Sequence, residues 1–240
     1  MTPDTLASLM QARRQRASAV LATRLADGWQ RLLVQPDAEA GAGIAPALLE
    51  AARAAVVADR SRTVTLDAED WFLQVHLPAP RLLLVGAVHV AQALAPLAQA
   101  AGVAVTVIDP RQGFATEARF PGTELLRLWP DEALTGLRID SRTAIVTLSH
   151  EARLDDPALH AALASDAFYV GALGSRKTQA ARRERLRALG HGDAALARLH
   201  GPVGLAIGAV GPNEIAVSIV AELVAVRRRA PLGGLAVVAG

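Results

Sequence analysis

Residues 81–92 read RLLLVGAVHVAQ. Four apolar residues, 82–85, run straight into Gly86, and a helical pattern of apolar positions starts at once. A strand, a tight turn and a helix start in direct succession are the opening of a dinucleotide-binding βαβ unit. In such a unit the N–H groups at the helix start face a phosphate. The full fingerprint is G-x-G-x-x-G, whereas here the six positions are Gly86, Ala87, Val88, His89, Val90 and Ala91. Gly86 permits the tight turn. Val88 stands where a second glycine would let the backbone approach a pyrophosphate. The stretch therefore predicts the scaffold and leaves its ligand open.

Downstream, strand and helix patterns alternate, which argues a parallel sheet with helices on both faces. The first helix is expected over 89–101, closed by Gly102 just past its end. Strands follow over 103–108, 123–126, 143–148 and 167–170, with a helix from about Asp156 between the last two. An Arg-rich helix opens after 171–176. A last strand is read over 204–207, and Gly211-Pro212-Asn213-Glu214 begins the final helix, with Pro212 where no N–H is needed. Upstream, 17–25 and 30–35 suit strands around the hairpin signal Asp27-Gly28. A Gly/Ala loop (40–43), a helix (46–58) and strands over 63–66 and 72–77 follow. Pro78 and Pro80 mark a boundary. The fold class is thus α/β: a small α+β domain (1–79), a Rossmann-like domain with a mostly parallel sheet (80–230) and a tail (231–240).

Composition narrows the function. Apolar residues make up 52% of the 240, but aromatics only 3%, so the core is aliphatic. Net charge is +2, and no basic run is interleaved with aromatics, so nucleic acid is not an expected partner. Cysteine is absent, which removes disulfides, thiolate metal sites and cysteine nucleophiles together. No apolar run reaches the roughly 18–20 residues that span a membrane. The amphipathic start carries Asp4, unlike a signal peptide, so a cytoplasmic location is expected.

In a doubly wound sheet, ligands sit beyond the carboxyl ends of the strands. Four turns fall there: 86–89, 109–111, 149–151 and 171–177. Asp109 lies 23 residues after Gly86, matching the carboxylate that accepts from ribose hydroxyls, or else it forms the turn before Pro110. Arg111 suits a 2′-phosphate. His89, in the first turn of its helix, suits a ligand phosphate or carbonyl, or caps local backbone. His150 and Glu151 with Asp155 and Asp156 form a loose acidic cluster matching no metal-ligand spacing, and helix capping explains the aspartates better. Gly171 and Gly174, then Ser175 as N-cap, then Arg176 and Lys177 make the stronger signal. Cations at a helix N-terminus oppose its dipole and make sense around an anion. The alternative is a solvated basic face continued by Arg182, Arg183, Arg185 and Arg187.

Taken in order, GAVHVAQAL, VTVIDPR, SHEARLDDPAL, FYVGALGSRKT and GPNEIAVSIVAELVAVRR resemble the C-terminal Rossmann domain of the XdhC/CoxI family, accessory factors for xanthine dehydrogenase and related molybdenum hydroxylases. The resemblance covers about residues 80–229. It implies a chaperone, not an enzyme, that binds molybdenum cofactor (molybdopterin) and helps it enter an apo-hydroxylase. It further implies contact with a sulfur donor and a homodimeric assembly. The family has GAGHV where this chain has GAVHV, and it carries Gly/Cys-rich N-terminal segments that residues 1–79 lack. Two other readings stay open: an NAD(P)-dependent oxidoreductase, and a protein-binding scaffold without a cofactor. All place the ligand at Gly86, Ala87, Val88, His89, Asp109, Arg111, His150, Gly171, Gly174, Ser175, Arg176 and Lys177, if they place one at all.

Overall fold

The computed structural model describes residues 1–36 and 43–230. Most of the loop read over 40–43 and the whole 231–240 tail lie outside the described residues. The chain divides into two units, Met1–Pro78 and Ala79–Gly240.

In the first unit, α1 (Pro3–Arg14) starts where Thr2 accepts the Thr5 N–H at 3.2 Å and Pro3 needs no partner. The sequence marks this helix only by a mildly amphipathic start, because its apolar stripe is narrow: only Leu9 and Ala12 are buried. The strands β1 (Ala19–Arg24) and β2 (Gln30–Val34) follow, then α2 (Pro46–Ala58), β3 (Arg62–Leu66) and β4 (Glu69–His76). They form an antiparallel sheet in the order β2-β1-β4-β3. Side chains alternate across the strands. Val20, Ala22, Leu33, Trp71 and Leu73 pack with Leu48, Ala52 and Ala55 of α2, while Ala19 packs with Leu9 and Ala12 of α1. β4 begins three residues before the predicted strand. Asp67 and Ala68 take φ of 49° and 63°, so a two-residue turn closes the hairpin. Ala at such a position carries no turn signal, which is why 67–70 reads as a loop.

The second unit runs β5 (Arg81–Val85), α3 (His89–Ala100), β6 (Ala104–Ile108), β7 (Glu124–Leu126), α4 (Pro130–Gly136), β8 (Thr143–Thr147), α5 (Ala152–Leu163), β9 (Tyr169–Ala172), α6 (Arg176–Ala188), α7 (Asp193–Leu196), β10 (Leu199–His200) and α8 (Pro212–Arg228). All five strand pairs are parallel, and the order is β10-β9-β8-β5-β6-β7. The chain winds outward from β5 in both directions, so the topological switch lies between β5 and β8. Leu82 and Leu84 face α3 and α8, packing with Ala91, Leu94, Ala216 and Ile219. Leu83 and Val85 face α4 and α5, packing with Leu134, Leu154, Ala158 and Leu159. Each such leucine is fully buried and contributes about 1.5–3 kcal/mol. An unbroken apolar strand is what a sheet covered on both faces requires.

Two expectations from the sequence need correction, and two short elements are added. The last strand is β10 (Leu199–His200), not 204–207. Gly204 has φ 98°, and a Cβ there would lie 2.2 Å from the Ser218 hydroxyl, so the segment turns against α8 instead of extending. The α5 helix starts at Ala152, four residues before Asp156, and its N-cap is Glu151. Asp155 and Asp156 therefore lie inside the helix and neither is its N-cap. Finally, α4 and α7 are additional elements, because 7 and 4 residues are too few to show a period in the sequence.

Candidate functional site

The turns at the carboxyl ends of β5, β6 and β8 meet at the switch point. Gly86 has φ 102°, and a Cβ there would come within 2.9 Å of the Ser149 backbone nitrogen. Glycine is required for the turn and also for the close approach of the neighbouring strand end. Val88 is the N-cap of α3 in extended conformation and makes no side-chain cap. Its side chain is half-buried against the core beneath α3. The first turn of α3 thus presents N–H groups without a side-chain cap, and His89 stands exposed beside them.

Asp109 is fully buried. Its Oδ2 accepts the Ala87 N–H and Arg111 Nη2, both at 2.7 Å. Its Oδ1 accepts the Arg111 backbone N–H and Nε, both at 2.9 Å. A carboxylate has about four acceptor directions, and these donors fill them. Burial pushes the Asp109 carboxyl up, but the Arg111 side chain and the Ala87 and Arg111 N–H groups outweigh it, and the group titrates below its usual range. Asp109 ties the glycine turn to Arg111, with no acceptor left for a ribose. Arg111 in turn donates Nη1 to Glu151 Oε1 at 2.5 Å, and its guanidinium lies 4.3 Å from the Phe114 ring centre. It bridges the ends of β6 and β8. His150, next to Glu151, is exposed and held at φ 62°. A non-glycine residue in that region is uncommon and costs on the order of 1–3 kcal/mol when strained.

A second, sealed network runs from β8 to α6. Ser149 Oγ donates to Asp155 Oδ1 at 2.6 Å, and Arg182 Nη2 donates to Asp155 Oδ2 at 3.0 Å. Arg182 Nη1 reaches Gln179 Oε1 at 2.8 Å and the Leu173 carbonyl at 3.1 Å. Gln179 Nε2 donates to the Ala172 carbonyl at 2.8 Å. The side chains of Arg182 and Asp155 are 2% and 1% exposed, so Arg182 is no part of a solvated basic face. Burial raises the Asp155 carboxyl despite Ser149 and Arg182, and burial lowers Arg182 despite Asp155. Of the other arginines on α6, Arg183 holds the Leu196 and Leu199 carbonyls and Arg185 pairs with Asp156. Sequence reasoning misses the inward role of Gln179 and Arg182, because polar residues on a basic helix give no sign of which ones turn inward.

The β9–α6 turn is reached through this network. Gly171 is a packing glycine: a Cβ would lie 2.6 Å from Val203 Cγ2. Gly174 has φ 135°. Ser175 is the N-cap, accepting the Thr178 N–H at 3.3 Å, as its sequence position predicts. Arg176 and Lys177 are exposed, with no carboxylate at ion-pair distance among the described residues. At the other side of β9, Tyr169 donates to Glu222, which also accepts from the Gly204 N–H at 2.8 Å and meets His200 Nδ1 at 2.9 Å. That cluster fixes the 200–204 turn. Among the described residues, no group of three or more His, Cys, Asp or Glu side chains is arranged to hold a metal ion. No described helix is long and apolar enough to cross a membrane.

The first unit carries its own cavity of about 250 Å³, walled by Trp29, Trp71, Arg24 and Arg31. Arg24 is already paired with Asp27 and Glu69, so the cavity offers a weaker case for an anion than the switch-point turns do.

Comparison with known proteins bears on the second unit above all. The family described as XdhC Rossmann domain matches residues 82–223. A Bacillus subtilis protein, named as a probable xanthine dehydrogenase component, is 36% identical over 159 residues, 66% of this chain and 46% of that protein. The molybdenum cofactor insertion chaperone PaoD of Escherichia coli is 32% identical over 150 residues, 62% of this chain and 41% of that protein. The chain thus spans less than half the length of these relatives. A crystal structure of a xanthine dehydrogenase from Bacillus halodurans superposes with a TM-score of 0.68 at 24% identity, covering 96% of this chain and 66% of that one. It shows the same fold.

Proposed function

Because the chain belongs to the XdhC family, we propose that it is an accessory factor that carries molybdenum cofactor to an apo-hydroxylase of the xanthine dehydrogenase type. The observation that carries this reading is the likeness of the switch-point domain to a chaperone named for cofactor insertion. The residues present suit the phosphate end of such a cargo. The open first turn of α3 with His89, the exposed His150 and the exposed Arg176 and Lys177 offer main-chain N–H groups and cations to an anion. These 240 residues include no cysteine, so in this reading they grip the organic part of the cargo and offer the metal no thiolate. Its role is to bind, orient and release, with no bond made or broken by its own side chains. A sulfur donor, a homodimer and a cytoplasmic setting belong to this same reading.

The NAD(P) reading is weaker on geometry. Asp109 has its acceptors filled, and Val88 replaces the second glycine of the dinucleotide fingerprint. Purified protein, denatured and oxidised, should release a fluorescent pterin in near-stoichiometric yield when co-expressed with a cofactor-producing pathway. A pterin-free protein that neither retains nor stimulates a molybdenum hydroxylase would refute the proposal. Calorimetry with NAD(P) at millimolar concentration should show no binding.

A further inference from the structure

The Arg111 guanidinium is held on one edge by buried Asp109 and on its outer edge by a half-exposed side chain of the turn after β8. Nε and Nη2 fork onto the buried Asp109, and the plane rests on Phe114. Only Nη1 points onward, and it meets Glu151. Glu151 is the N-cap residue of α5 but makes no side-chain cap, and its side chain is 54% exposed. It bonds Arg111 through a single oxygen, Oε1. A half-exposed carboxylate on a fixed guanidinium is weakly held by comparison with a buried pair. It also occupies the place where an incoming oxyanion would find a pre-oriented donor.

We infer that Arg111 is the phosphate-reading residue of the switch-point crevice and that Glu151 is its internal occupant, displaced when a phosphate-bearing ligand arrives. This deepens the function proposed above and rests on a ligand entering that crevice. The ligand class follows from the competition. Glu151 is tethered, so it acts at an effective concentration in the millimolar range. A ligand carboxylate would replace one single charge by another and gain little. A phosphate brings more charge and three acceptor oxygens to the same donors. Asp109 and Glu151 together outnumber Arg111 in charge, so removing the Glu151 charge favours any entering anion.

The test is calorimetric titration of the full chain with inorganic pyrophosphate, and separately with acetate. Glu151→Gln should bind pyrophosphate about tenfold tighter than wild type, because the competing charge is gone. Arg111→Gln should weaken binding by about tenfold or more, and the double variant should match Arg111→Gln alone. Acetate should give no measurable heat with any of the four proteins. A thermal melt of each variant reports separately on folding. The inference is overturned if Glu151→Gln binds pyrophosphate no tighter than wild type, if neither protein binds it, or if the double variant keeps the gain. Pterin release from purified protein judges the accessory-factor reading on its own, so the two failures are distinguishable.

Discussion

Two Asp–Arg pairs sit at the carboxyl ends of the same sheet, one sealed and one open. Asp155 and Arg182 exclude water from both sides, with side-chain exposures of 1% and 2%. Asp109 is equally buried, but Arg111 is 28% exposed and shares its outer edge with a half-exposed glutamate. The sealed pair joins α5 to α6 and commits both terminal nitrogens of Arg182 to partners inside the protein. The open pair joins the glycine turn to the crevice and keeps one donor at the surface. The difference separates an internal brace from a pair that reaches solvent, and sequence spacing differs as well: Asp109 and Arg111 are 2 residues apart, Asp155 and Arg182 are 27 apart.

The largest expected effect is on the sealed side. Arg182→Ala strands the Asp155 carboxylate in the interior and should cost about 3–5 kcal/mol, read by denaturant unfolding. Gly86→Ala comes next. It forces a Cβ against the Ser149 backbone at φ 102° and should cost about 1–3 kcal/mol from strain alone. Arg111→Ala should fall at the lower end of that range, since Asp109 keeps two backbone N–H donors. A loss equal to that of Arg182→Ala would erase the distinction between the pairs.

Acidification separates them by sign. The Asp109 carboxyl titrates below its unfolded value, so its stabilisation is present above that value and is lost as pH falls through the folded one. The stability gap between wild type and Asp109→Asn should therefore narrow as the solution is made acidic. The Asp155 carboxyl titrates above its unfolded value, so its contribution is fully present below that value and is lost as pH rises through the folded one. The gap to Asp155→Asn should widen on acidification, and parallel pH profiles would contradict this contrast. Smallest in stability is Arg176→Ala with Lys177→Ala, expected within about 0.5 kcal/mol of wild type. The same double change should still weaken a phosphate ligand, since each charge-assisted contact contributes about 1.5–3 kcal/mol.

The fold is legible in the sequence because its signals are local and repeated. The apolar run 82–85, Gly86, Gly102 behind α3, Ser175 before α6 and Pro212 opening α8 each speak through one to four adjacent residues, and the structure places all of them as expected. The short elements α4, α7 and β10 are not legible, since they owe their form to tertiary contacts. The site is half legible. Its turns can be named from sequence, but their partners cannot. That Asp109 is taken up by Ala87 and Arg111, and that Arg182 turns inward to Asp155, depends on which groups meet across 22 and 27 residues of sequence. The contact of Glu151 with Arg111 is hidden because the sequence only groups Glu151 with a loose acidic cluster, and a pairing across 40 residues leaves no local trace.

The margins of the parallel sheet have a consequence for assembly. Its two outermost strands, β10 and β7, are also its shortest, with two and three residues. An edge this brief offers few main-chain groups for another chain to zip onto. Strand addition, the common route to runaway self-association in sheet proteins, is closed off at both rims among the described residues. Among the described residues, a companion of this domain would be gripped by turns and helix faces, which can let go again, and that suits the proposed role of handing cargo on.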